Sequence, residues 1–321
     1  MIEPEFLSRL SSVAPVRCNE PLAKHTSLRI GGAADAYIVA NSPKRLRAIM
    51  SVIWEYDIPY LILGAGSNLL VSDTGFRGVV VENWVPKIDG MESGMHMQEE
   101  NGKQCMMKVD GGIPLARLAF ATSRAGWAGL EWAVGIPGSV AGAVVNNSGA
   151  HGGSMGDIIQ GVWVVERGGE AYRIPVSELG MEYRASNIRY RWRGEGRTMA
   201  VLSVEMALQK EDLTRLKERM TQYSQKRRNS QPSQPSAGSM FKNPSGHTAG
   251  WLIEQTGLKG HRVGGAQVST RHANFVVNRG RAQASDVEEL MALAKQKVVD
   301  GFGIELEPEV EWVGEKCSRE G

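Results

Sequence analysis

Two hydrophobic periods alternate along the chain, and together they predict a mixed α and β protein. Apolar residues at helical spacing follow five segments that can open a helix, namely Ser42-Pro43, Pro114, Glu211, Thr248 and Ser285. Short apolar or alternating runs, typical of strands, fill the intervals. They cover residues 59–63, 79–81, 162–166, 171–174, 199–208, 263–268, 273–277 and 304–313.

Two of the predicted helices have informative ends. The helix that begins near Glu211 finishes on three cations at 226–228, which suit the negative end of a helix and could also meet a diphosphate. Its inward-facing residues are predicted to be Leu213, Leu216, Met220 and Tyr223. The segment Ser285-Asp286-Val287-Glu288 has the form of a capping box and predicts where the last helix begins. That helix is predicted to bury Val287, Leu290, Met291, Ala294 and Val298.

A glycine-dense stretch at 129–157 has no charged residue between Glu131 and Asp157. The seven glycines, one proline and two asparagines between these two acids argue against a membrane span, because they would leave backbone groups unpaired in lipid. We interpret it as a buried turn system in which backbone approaches a large ligand. Pro137 can open a helical turn, whose N–H groups from Ser139 to Gly142 could hold a phosphate. A tight structural turn without ligand explains the pattern equally well.

A second glycine turn, GAGSNLL at 64–70, joins the predicted strands 59–63 and 79–81. We interpret the segment as a β-α-β unit, in which ligands bind at the carboxyl end of a strand. A dinucleotide fingerprint would need glycine where Leu69 stands, and no P-loop lysine follows. Backbone N–H groups near Ser67 and Asn68 could still hold a phosphate, although an ordinary turn is the simpler alternative.

Composition narrows the class of protein. A length of 321 residues suggests two or three domains, and 42% hydrophobic with 22% charged residues is typical of a globular chain. A net charge of +2 gives no field that favours nucleic acid or a membrane. Three scattered cysteines fit a reduced cytoplasm and predict neither a disulfide framework nor a metal site. The N-terminal segment lacks the apolar core of a signal peptide.

A loop rich in proline and serine at 229–246 is too long to be an ordinary connection. Its apolar pair Met240-Phe241, followed by Lys242-Asn243, favours an ordered and functional loop. Ser239 is not part of a G-x-S-x-G elbow, which argues against a role as a hydrolase nucleophile. Alternating acids at 305, 307, 309 and 311 are typical of the wet face of an edge strand.

Five motifs occur in one order along the chain. They are GAGSNLL at 64–70, GIPGSVAGA at 135–143 with NNSGAHGG behind it, YRAS at 183–186, PSAGSMFKNP at 235–244 and ELEPEVEWVG at 305–314. In order and spacing they resemble the UDP-N-acetylenolpyruvoylglucosamine reductase family, over residues 19–314. The compact length and the Q-P-S-x-x-P-S form of the serine loop resemble the shorter, type II branch of that family.

The resemblance implies an α+β fold. It consists of a two-subdomain FAD-binding fold of the vanillyl-alcohol-oxidase (PCMH) type plus a C-terminal α+β substrate-binding domain. Residues 1–82 would form the first FAD-binding subdomain, joined by a C-terminal strand at 304–321. Residues 83–209 would form the second subdomain, and residues 210–303 would bind the UDP-sugar.

The resemblance also implies the partners of the site. FAD would be held non-covalently by Gly64, Ala65, Gly66, Ser67 and Asn68 in one loop and by Gly135, Ile136, Pro137, Gly138 and Ser139 in the other. Substrate would be bound by Tyr183, Lys242 and Asn243, with Arg227 or Arg228 at the diphosphate. The expected partners are therefore small molecules, NADPH and UDP-N-acetylglucosamine enolpyruvate, with no metal, nucleic acid or membrane. A cytoplasmic monomer is expected.

The chemistry that the family implies gives three residues a role. Hydride passes from NADPH to FAD and then to the vinyl carbon of the enolpyruvyl group, and Ser239 donates the proton. Arg184 and Glu309 stabilise the enolate, and the planar guanidinium of Arg184 suits a carboxylate. Glu309 would repel that carboxylate unless protonated, so we predict a raised pKa for Glu309. A serine hydroxyl is a weak acid that serves only by protonating a basic, carbanion-like centre at close range.

Some positions depart from the family pattern, and two other functions stay open. Alanine stands at Ala141 where the family often has glycine, and Ser148 and His151 stand where alanine and tyrosine are expected. A related flavin oxidase acting on a sugar or alditol is one alternative, although no histidine lies in a glycine turn suited to covalent flavin attachment. A non-catalytic nucleotide-sugar binding protein is the other, against which the joint presence of Arg184, Ser239 and Glu309 argues.

Overall fold

The computed structural model describes residues 2–85, 95–189 and 199–316. α-Helices form at α1 (Pro4–Ser11), α2 (Pro43–Glu55), α3 (Leu115–Arg124), α4 (Val140–Val145), α5 (Leu213–Ser230), α6 (Ala249–Gln255) and α7 (Ala284–Phe302). Strands β1 to β8 are Val16–Pro21, Ala33–Ala40, Tyr60–Leu63, Leu69–Val71, Phe76–Asn83, Met95–Glu100, Gln104–Asp110 and Trp127–Ala128. Strands β9 to β17 are Gly149–Ala150, Gly153–Ser154, Ile159–Glu166, Tyr172–Pro175, Met199–Lys210, Arg262–Val263, Ala266–Val268, Val276–Asn278 and Glu311–Val313. Every helix in this part of the chain is too short or too polar to cross a lipid bilayer.

The chain divides into two compact units. The first comprises Met1–Arg17, Tyr37–Ala65 and Gly78–Lys226, and the second comprises Cys18–Ala36, Gly66–Arg77 and Arg227–Gly321. The chain passes from one unit to the other within β1, β2, β5 and α5, and also between Ala65 and Gly66. Each unit has a hydrophobic core of its own. The finer division at 1–82, 83–209 and 210–303 stays a prediction.

The first unit is built on an antiparallel sheet in the order β12-β11-β13-β7-β6, with β8 paired to the far end of β13. The predicted strands at 162–166, 171–174 and 199–208 are thus confirmed as β11, β12 and β13. Leu118 of α3 and Val144 of α4 join Val204 of β13 in one core. β6 and β7 form an antiparallel hairpin, with Met95 opposite Val109 and Glu100 opposite Gln104.

The predicted β-α-β unit is wrong in one respect. β3 and β5 do pair in parallel, with Tyr60 opposite Val79. The segment between them, which is fully described, forms β4 and turns rather than a helix. The helix predicted at Ser42 is confirmed as α2, but it precedes β3. The Ser42 hydroxyl caps it by accepting the N–H of Arg45 at 3.3 Å.

The second unit packs α6 and α7 against small sheets. β14, β15 and β16 form an antiparallel sheet, and β17 pairs in parallel with β4, with Val313 opposite Val71. Of the last predicted strand, 304–313, only Glu311–Val313 is regular. The predicted inward residues of α7 are confirmed, since Val287, Leu290, Ala294 and Val298 are buried and Met291 packs against the same core.

The helices α5 and α7 correct two details of the prediction. Leu213 is 56% exposed rather than buried, although its spacing places it on the same face as Leu216 and Met220, because it stands in the first turn of α5. α7 begins at Ala284, with a capping box formed by Gln283 and Asp286 instead of Ser285 and Glu288. The cause is tertiary, because the carboxylate of Asp73 accepts the N–H of Ala284 at 2.7 Å and that of Ser285 at 3.1 Å.

Asp110 is the last residue of β7, and its carboxyl group makes the stability of the fold depend on pH. Burial raises the pKa of its carboxyl to about 6, although His96 and Lys108 nearby favour the ionised form. The folded chain therefore holds this proton more tightly than the unfolded chain. The stability that the protonated form contributes is full at low pH and is lost as the pH rises through about 6.

We expect Asp110→Asn to raise the thermal unfolding midpoint at pH 8 and to have a smaller effect at pH 4.5, because the amide cannot ionise. The midpoint is measured by circular dichroism at both pH values. Asp57→Asn is the control, since exposed Asp57 pairs with Arg167 at 2.7 Å and its removal should cost little stability. A midpoint that falls at pH 8 in Asp110→Asn would show instead that the fold needs the carboxylate.

Candidate functional site

The two predicted glycine loops approach each other within the first unit. A Cβ built on Gly64 would lie 2.5 Å from Ser139 Oγ and 3.2 Å from Ser139 Cβ. No side chain fits at that spacing, so only glycine allows the end of β3 to come this close to the start of α4. Ile136 of the second loop packs against the core of the unit. The backbone-lined surface inferred from the sequence is therefore formed jointly by the loop at Gly64 and the loop at Ser139.

The helical turn predicted at Pro137 begins later, at Val140. Gly138 has a φ of +150°, which is incompatible with a helix, and Ser139 caps α4 by accepting the N–H of Gly142 at 3.2 Å. The N–H groups of Val140 and Ala141 donate to the carbonyls of Ile113 and Gly111 at 2.9 and 2.8 Å. The prediction that four N–H groups of this turn hold a phosphate is therefore wrong, because at most the N–H of Ser139 is left for a ligand.

The end of α4 presents an acceptor of another kind. Asn146 donates through Nδ2 to the carbonyl of Gly142 at 3.1 Å. Its Oδ1 is buried and has no hydrogen-bond partner among the described residues. Such an atom is costly unless a ligand or water satisfies it. A glycine-lined approach next to an unsatisfied acceptor fits FAD, which carries both N–H and hydroxyl donors.

Residues 66–68 of the first glycine loop belong to the second unit. Several of their polar groups form hydrogen bonds within the protein. The carbonyl of Gly66 accepts the N–H of Ser27 at 3.1 Å. Asn68 donates through Nδ2 to the carbonyl of Glu309 at 3.1 Å, and its own carbonyl accepts the N–H of Glu311 at 2.9 Å. Asn68 thus connects a predicted cofactor loop to a predicted catalytic residue.

Arg184 stands in a tight turn of the first unit. Glu182 and Ala185 exchange two backbone hydrogen bonds of 3.1 Å, so Tyr183 and Arg184 occupy the tip. Arg184 has a φ of +56°, which is uncommon for a residue with a side chain and is often found at functional sites. Its guanidinium lies 5.2 Å from the ring centre of the exposed Tyr183 and donates to the carbonyl of Gly149 at 3.1 Å.

The turn of Arg184 is held by three polar residues to which the sequence motifs gave no role. Buried Asn147 donates to the carbonyl of Glu182 at 2.7 Å and accepts the N–H of Gly156 at 2.9 Å. Ser186 donates to the carbonyl of Val145 at 2.8 Å, and buried Arg189 donates to the carbonyl of Arg184 at 2.8 Å. Such a network fixes a side chain whose position matters.

The serine loop is clamped in the second unit by Asn274, another residue that the pattern missed. Both ends of its side-chain amide bind Phe241, because Oδ1 accepts the N–H at 3.0 Å and Nδ2 donates to the carbonyl at 2.8 Å. Its main-chain carbonyl accepts the N–H of Met240 at 2.8 Å. Asn274 is buried, so this loop is ordered immediately after Ser239. The prediction of an ordered loop is confirmed.

Glu309 lies beside the same loop. Its N–H donates to the carbonyl of Met240 at 2.8 Å, and the N–H of Lys242 donates to the carbonyl of Glu307 at 2.9 Å. Two residues 70 positions apart, Ser239 and Glu309, are therefore on paired segments of one unit. Ser67 is close as well, since a Cβ on Gly238 would lie 3.9 Å from its carbonyl oxygen.

The predicted substrate-binding residues of the second unit are partly engaged by the protein. Lys242 forms an ion pair with Glu307 at 2.6 Å, and Asn243 accepts the N–H of Ala249 at the start of α6. Arg227 is half-buried, and this burial lowers its pKa, while Arg228 is exposed. Arg271 donates to the carbonyls of Arg228 and Gln231 at 2.8 and 3.2 Å, a favourable position for a cation at the end of α5.

A cavity of about 140 Å³ lies under the start of the serine loop in the second unit. Its lining contains two arginines and no acidic residue, and the rest is mostly polar. The lining residues are Pro232, Ser233, Gln234, Gln267, Ser269, Thr270, Arg271, Val277 and Arg279. Positive charge combined with hydroxyl and amide groups suits a phosphate. No spacing motif in the sequence pointed to this group.

Known proteins resemble the chain over nearly its whole length. The protein-family model described as UDP-N-acetylenolpyruvoylglucosamine reductase, C-terminal domain, matches residues 231–313. A second family model, described as FAD binding domain, matches residues 34–175. The UDP-N-acetylenolpyruvoylglucosamine reductase of Synechococcus sp. (strain JA-3-3Ab) is 40% identical over 301 residues, covering 93% of this chain and 91% of that protein. The reductase of Bacillus subtilis (strain 168) is 38% identical over 303 residues, covering 94% and 95%.

The chain belongs to the UDP-N-acetylenolpyruvoylglucosamine reductase family. A crystal structure of UDP-N-acetylenolpyruvylglucosamine reductase from Thermus caldophilus agrees, with 32% identity, a TM-score of 0.74, and coverage of 94% of this chain and 99% of that one. As a member of the family, the chain is an FAD-containing oxidoreductase of peptidoglycan precursor synthesis. The α+β fold, with a PCMH-type FAD-binding part and a C-terminal domain of this reductase family, is confirmed.

Proposed function

We propose that the chain reduces UDP-N-acetylglucosamine enolpyruvate to UDP-N-acetylmuramate with NADPH as the hydride donor. Family membership supports the reaction. The observation that carries the assignment of residues is the pairing of the serine loop with the segment of Glu309, through the 2.8 Å hydrogen bond between Met240 and Glu309. This hydrogen bond supports the proposal that the acid and a carboxylate-stabilising group act from neighbouring segments of the second unit.

The residues of the chain stabilise the negative charge of the enolate and donate a proton. When bound and reduced by NADPH, FAD would supply a hydride, and the vinyl carbon of the substrate gains a new C–H bond. The electron pair of the double bond moves to the adjacent carbon and into the carboxylate as an enolate. Arg184 stabilises this charge with its planar fork, and Glu309 does so as a protonated hydrogen-bond donor. Ser239 then donates its proton to the adjacent carbon, which completes the reduction.

Substrate binding would use charges from two parts of the second unit. Arg227 and Arg228 at the end of α5 are proposed to meet the diphosphate, and the cavity that contains Arg271 and Arg279 extends this positive surface. Lys242 and Asn243 are proposed to contact the sugar, since they follow the clamped part of the serine loop. Tyr183 is proposed to contact substrate because its ring is 55% exposed beside Arg184.

The same proposal covers the protein as a whole. FAD is held non-covalently by the loops 64–68 and 135–139, within residues 1–82 and 83–209 completed by 304–321, while residues 210–303 bind the UDP-sugar. The return of β17 to β4 supports the contribution of the C-terminal segment. We propose a monomer that acts in the cytoplasm on small molecules and binds neither nucleic acid nor membrane.

Gly64→Ala is expected to weaken FAD retention, because the added methyl would lie 2.5 Å from Ser139 Oγ. To relieve the clash, Ser139 must rotate and give up its cap of α4, and loss of such a cap typically costs about 1 kcal/mol. Retention is measured as the ratio of flavin to protein absorbance after gel filtration. Gly169→Ala, in a loop of the same unit with space for a methyl, is the control. Equal flavin content in both variants would contradict the placement of FAD at these loops.

The proposed function is tested in one anaerobic cuvette. NADPH is added to the purified holoenzyme, and UDP-N-acetylglucosamine enolpyruvate follows. We expect the flavin band to bleach with NADPH and to return with the substrate. A band restored only by oxygen would favour the oxidase alternative. A protein that stays colourless after reconstitution with FAD would leave the nucleotide-sugar binding protein as the better hypothesis.

A further inference from the structure

A hairpin formed by β9 and β10 follows α4 in the first unit. Ala150 pairs with Gly153, and the two residues between them, His151 and Gly152, have φ angles of +54° and +84°. Two left-handed residues in succession are required by a type I′ turn, for which Asn-Gly is the usual sequence. Few residues other than glycine adopt this conformation, and histidine is among those that tolerate it.

The side chain at the tip of the hairpin forms a ring stack. The imidazole of His151 lies on the ring of Tyr223 from α5, with the centroids 4.4 Å apart and the planes 7° from parallel. His151 is exposed and Tyr223 is half-buried, so the histidine covers one side of the tyrosine ring. Aromatic pairs contribute more than the area they bury, and they fix relative orientation.

Tyr223 belongs to a part of α5 that is held in place independently. Arg219, one turn earlier, is paired with buried Glu131 at 3.3 Å and with Glu211 at 2.5 Å. Glu131 also accepts the N–H of Gly129 at 2.6 Å. Because the helix is anchored by these bonds, the stack restrains the hairpin tip rather than the helix.

The base of the hairpin contacts the guanidinium of Arg184. Gly149, which pairs with Ser154 and precedes His151 by two residues, accepts a hydrogen bond from Arg184 Nη2 at 3.1 Å. We propose that the stack of His151 on Tyr223 positions Arg184 for the substrate carboxylate. His151 and Tyr223 are then positioning residues that act through the Gly149 carbonyl. The inference rests on the role of Arg184 in the proposed function.

The physical reason lies in the planarity of the guanidinium. A carboxylate is bound by two parallel N–H groups only when the plane of the fork is set correctly. If the stack is lost, the hairpin can tilt and its carbonyl no longer holds Nη2 in that plane. Small errors of position are costly in a reaction that depends on orientation. Reduction of FAD by NADPH does not use the carboxylate contact, so it should be insensitive to the stack.

The test uses two ways of deleting the stack in the holoenzyme. Tyr223→Ala removes one ring, and His151→Asn removes the other while keeping a residue that tolerates a left-handed φ. We expect each to slow reoxidation of the flavin by UDP-N-acetylglucosamine enolpyruvate roughly 10-fold and to raise KM for it, with reduction by NADPH within about twofold of the parent. Tyr223→Phe keeps the aromatic ring, so its reoxidation rate and KM should match those of the parent. Phe120→Ala, at an exposed ring on α3, is the matched control.

The double variant tests whether the rings of His151 and Tyr223 act only through their mutual stack. If they do, His151→Asn combined with Tyr223→Ala is no slower than either single variant. Additive losses, equal slowing of both half-reactions, or single variants that match the parent would each overturn the inference. A parent enzyme that the substrate does not reoxidise would contradict the proposed function itself, which is a different result.

Discussion

Ser239→Ala is expected to stop turnover of the enolpyruvyl substrate while flavin reduction by NADPH continues. The alanine cannot donate the proton that completes the reduction, and a positioned acid typically accelerates its step by roughly 10²–10⁴-fold. The fold should be unaffected, because Asn274 clamps Met240 and Phe241 through bonds that do not involve the Ser239 side chain. Stopped-flow absorbance of the flavin, recorded separately for the two half-reactions, measures the effect.

Two further variants make this result specific to the proton. Ser239→Cys supplies a more acidic group of similar size, so it should retain more activity than Ser239→Ala. Ser245→Ala removes an exposed hydroxyl from the same loop and should behave like the parent. If Ser239→Ala left both half-reactions unchanged, the assignment of the acid would be wrong and another donor would have to be sought.

Arg184→Lys is expected to have the second largest effect. Lysine keeps the charge and, like arginine, must adopt the φ of +56°, so the backbone cost is matched. It loses the planar fork that binds a carboxylate with two parallel bonds. Removal of a comparable charge-stabilising donor typically costs roughly 10²–10³-fold in rate. We therefore expect slower reoxidation by the enolpyruvyl substrate and a higher KM for it, with reduction by NADPH preserved.

The control for this prediction is an arginine of the same unit without a proposed role. Arg173 at the sheet edge pairs with Glu205 at 2.6 Å, and Arg173→Lys should leave both half-reactions intact. Equal behaviour of Arg184→Lys and Arg173→Lys would mean that Arg184 does not bind the carboxylate. Slowing of both half-reactions in Arg184→Lys would indicate damage to FAD binding instead.

The sequence predicted well where the cause is local. Ser42 and Thr248 cap α2 and α6 as expected, because a hydroxyl and the N–H three residues later are always within reach of each other. The inward stripe of α7 followed from its period for the same reason. The motifs were also sufficient to predict the family, which the known relatives confirm.

Prediction failed where a distant partner competes with a local one. Pro137 was expected to open a helix, but α4 starts three residues later because Gly111 and Ile113 accept the N–H groups of its first turn. α7 starts earlier than its capping pattern indicated, because Asp73 covers its first N–H groups from 211 positions away. Neither partner can be recognised by spacing.

The sequence by itself determined the family, the cofactor class and the identity of Arg184, Ser239 and Glu309 as candidates, since their motifs are contiguous in the chain. Only the tertiary structure decided how they are held. Asn147 and Arg189 fix the turn of Arg184, Asn274 orders the serine loop, and His151 stacks on Tyr223. Side chains that satisfy distant backbone groups leave no period in the sequence, so their partners emerge only when the chain has folded.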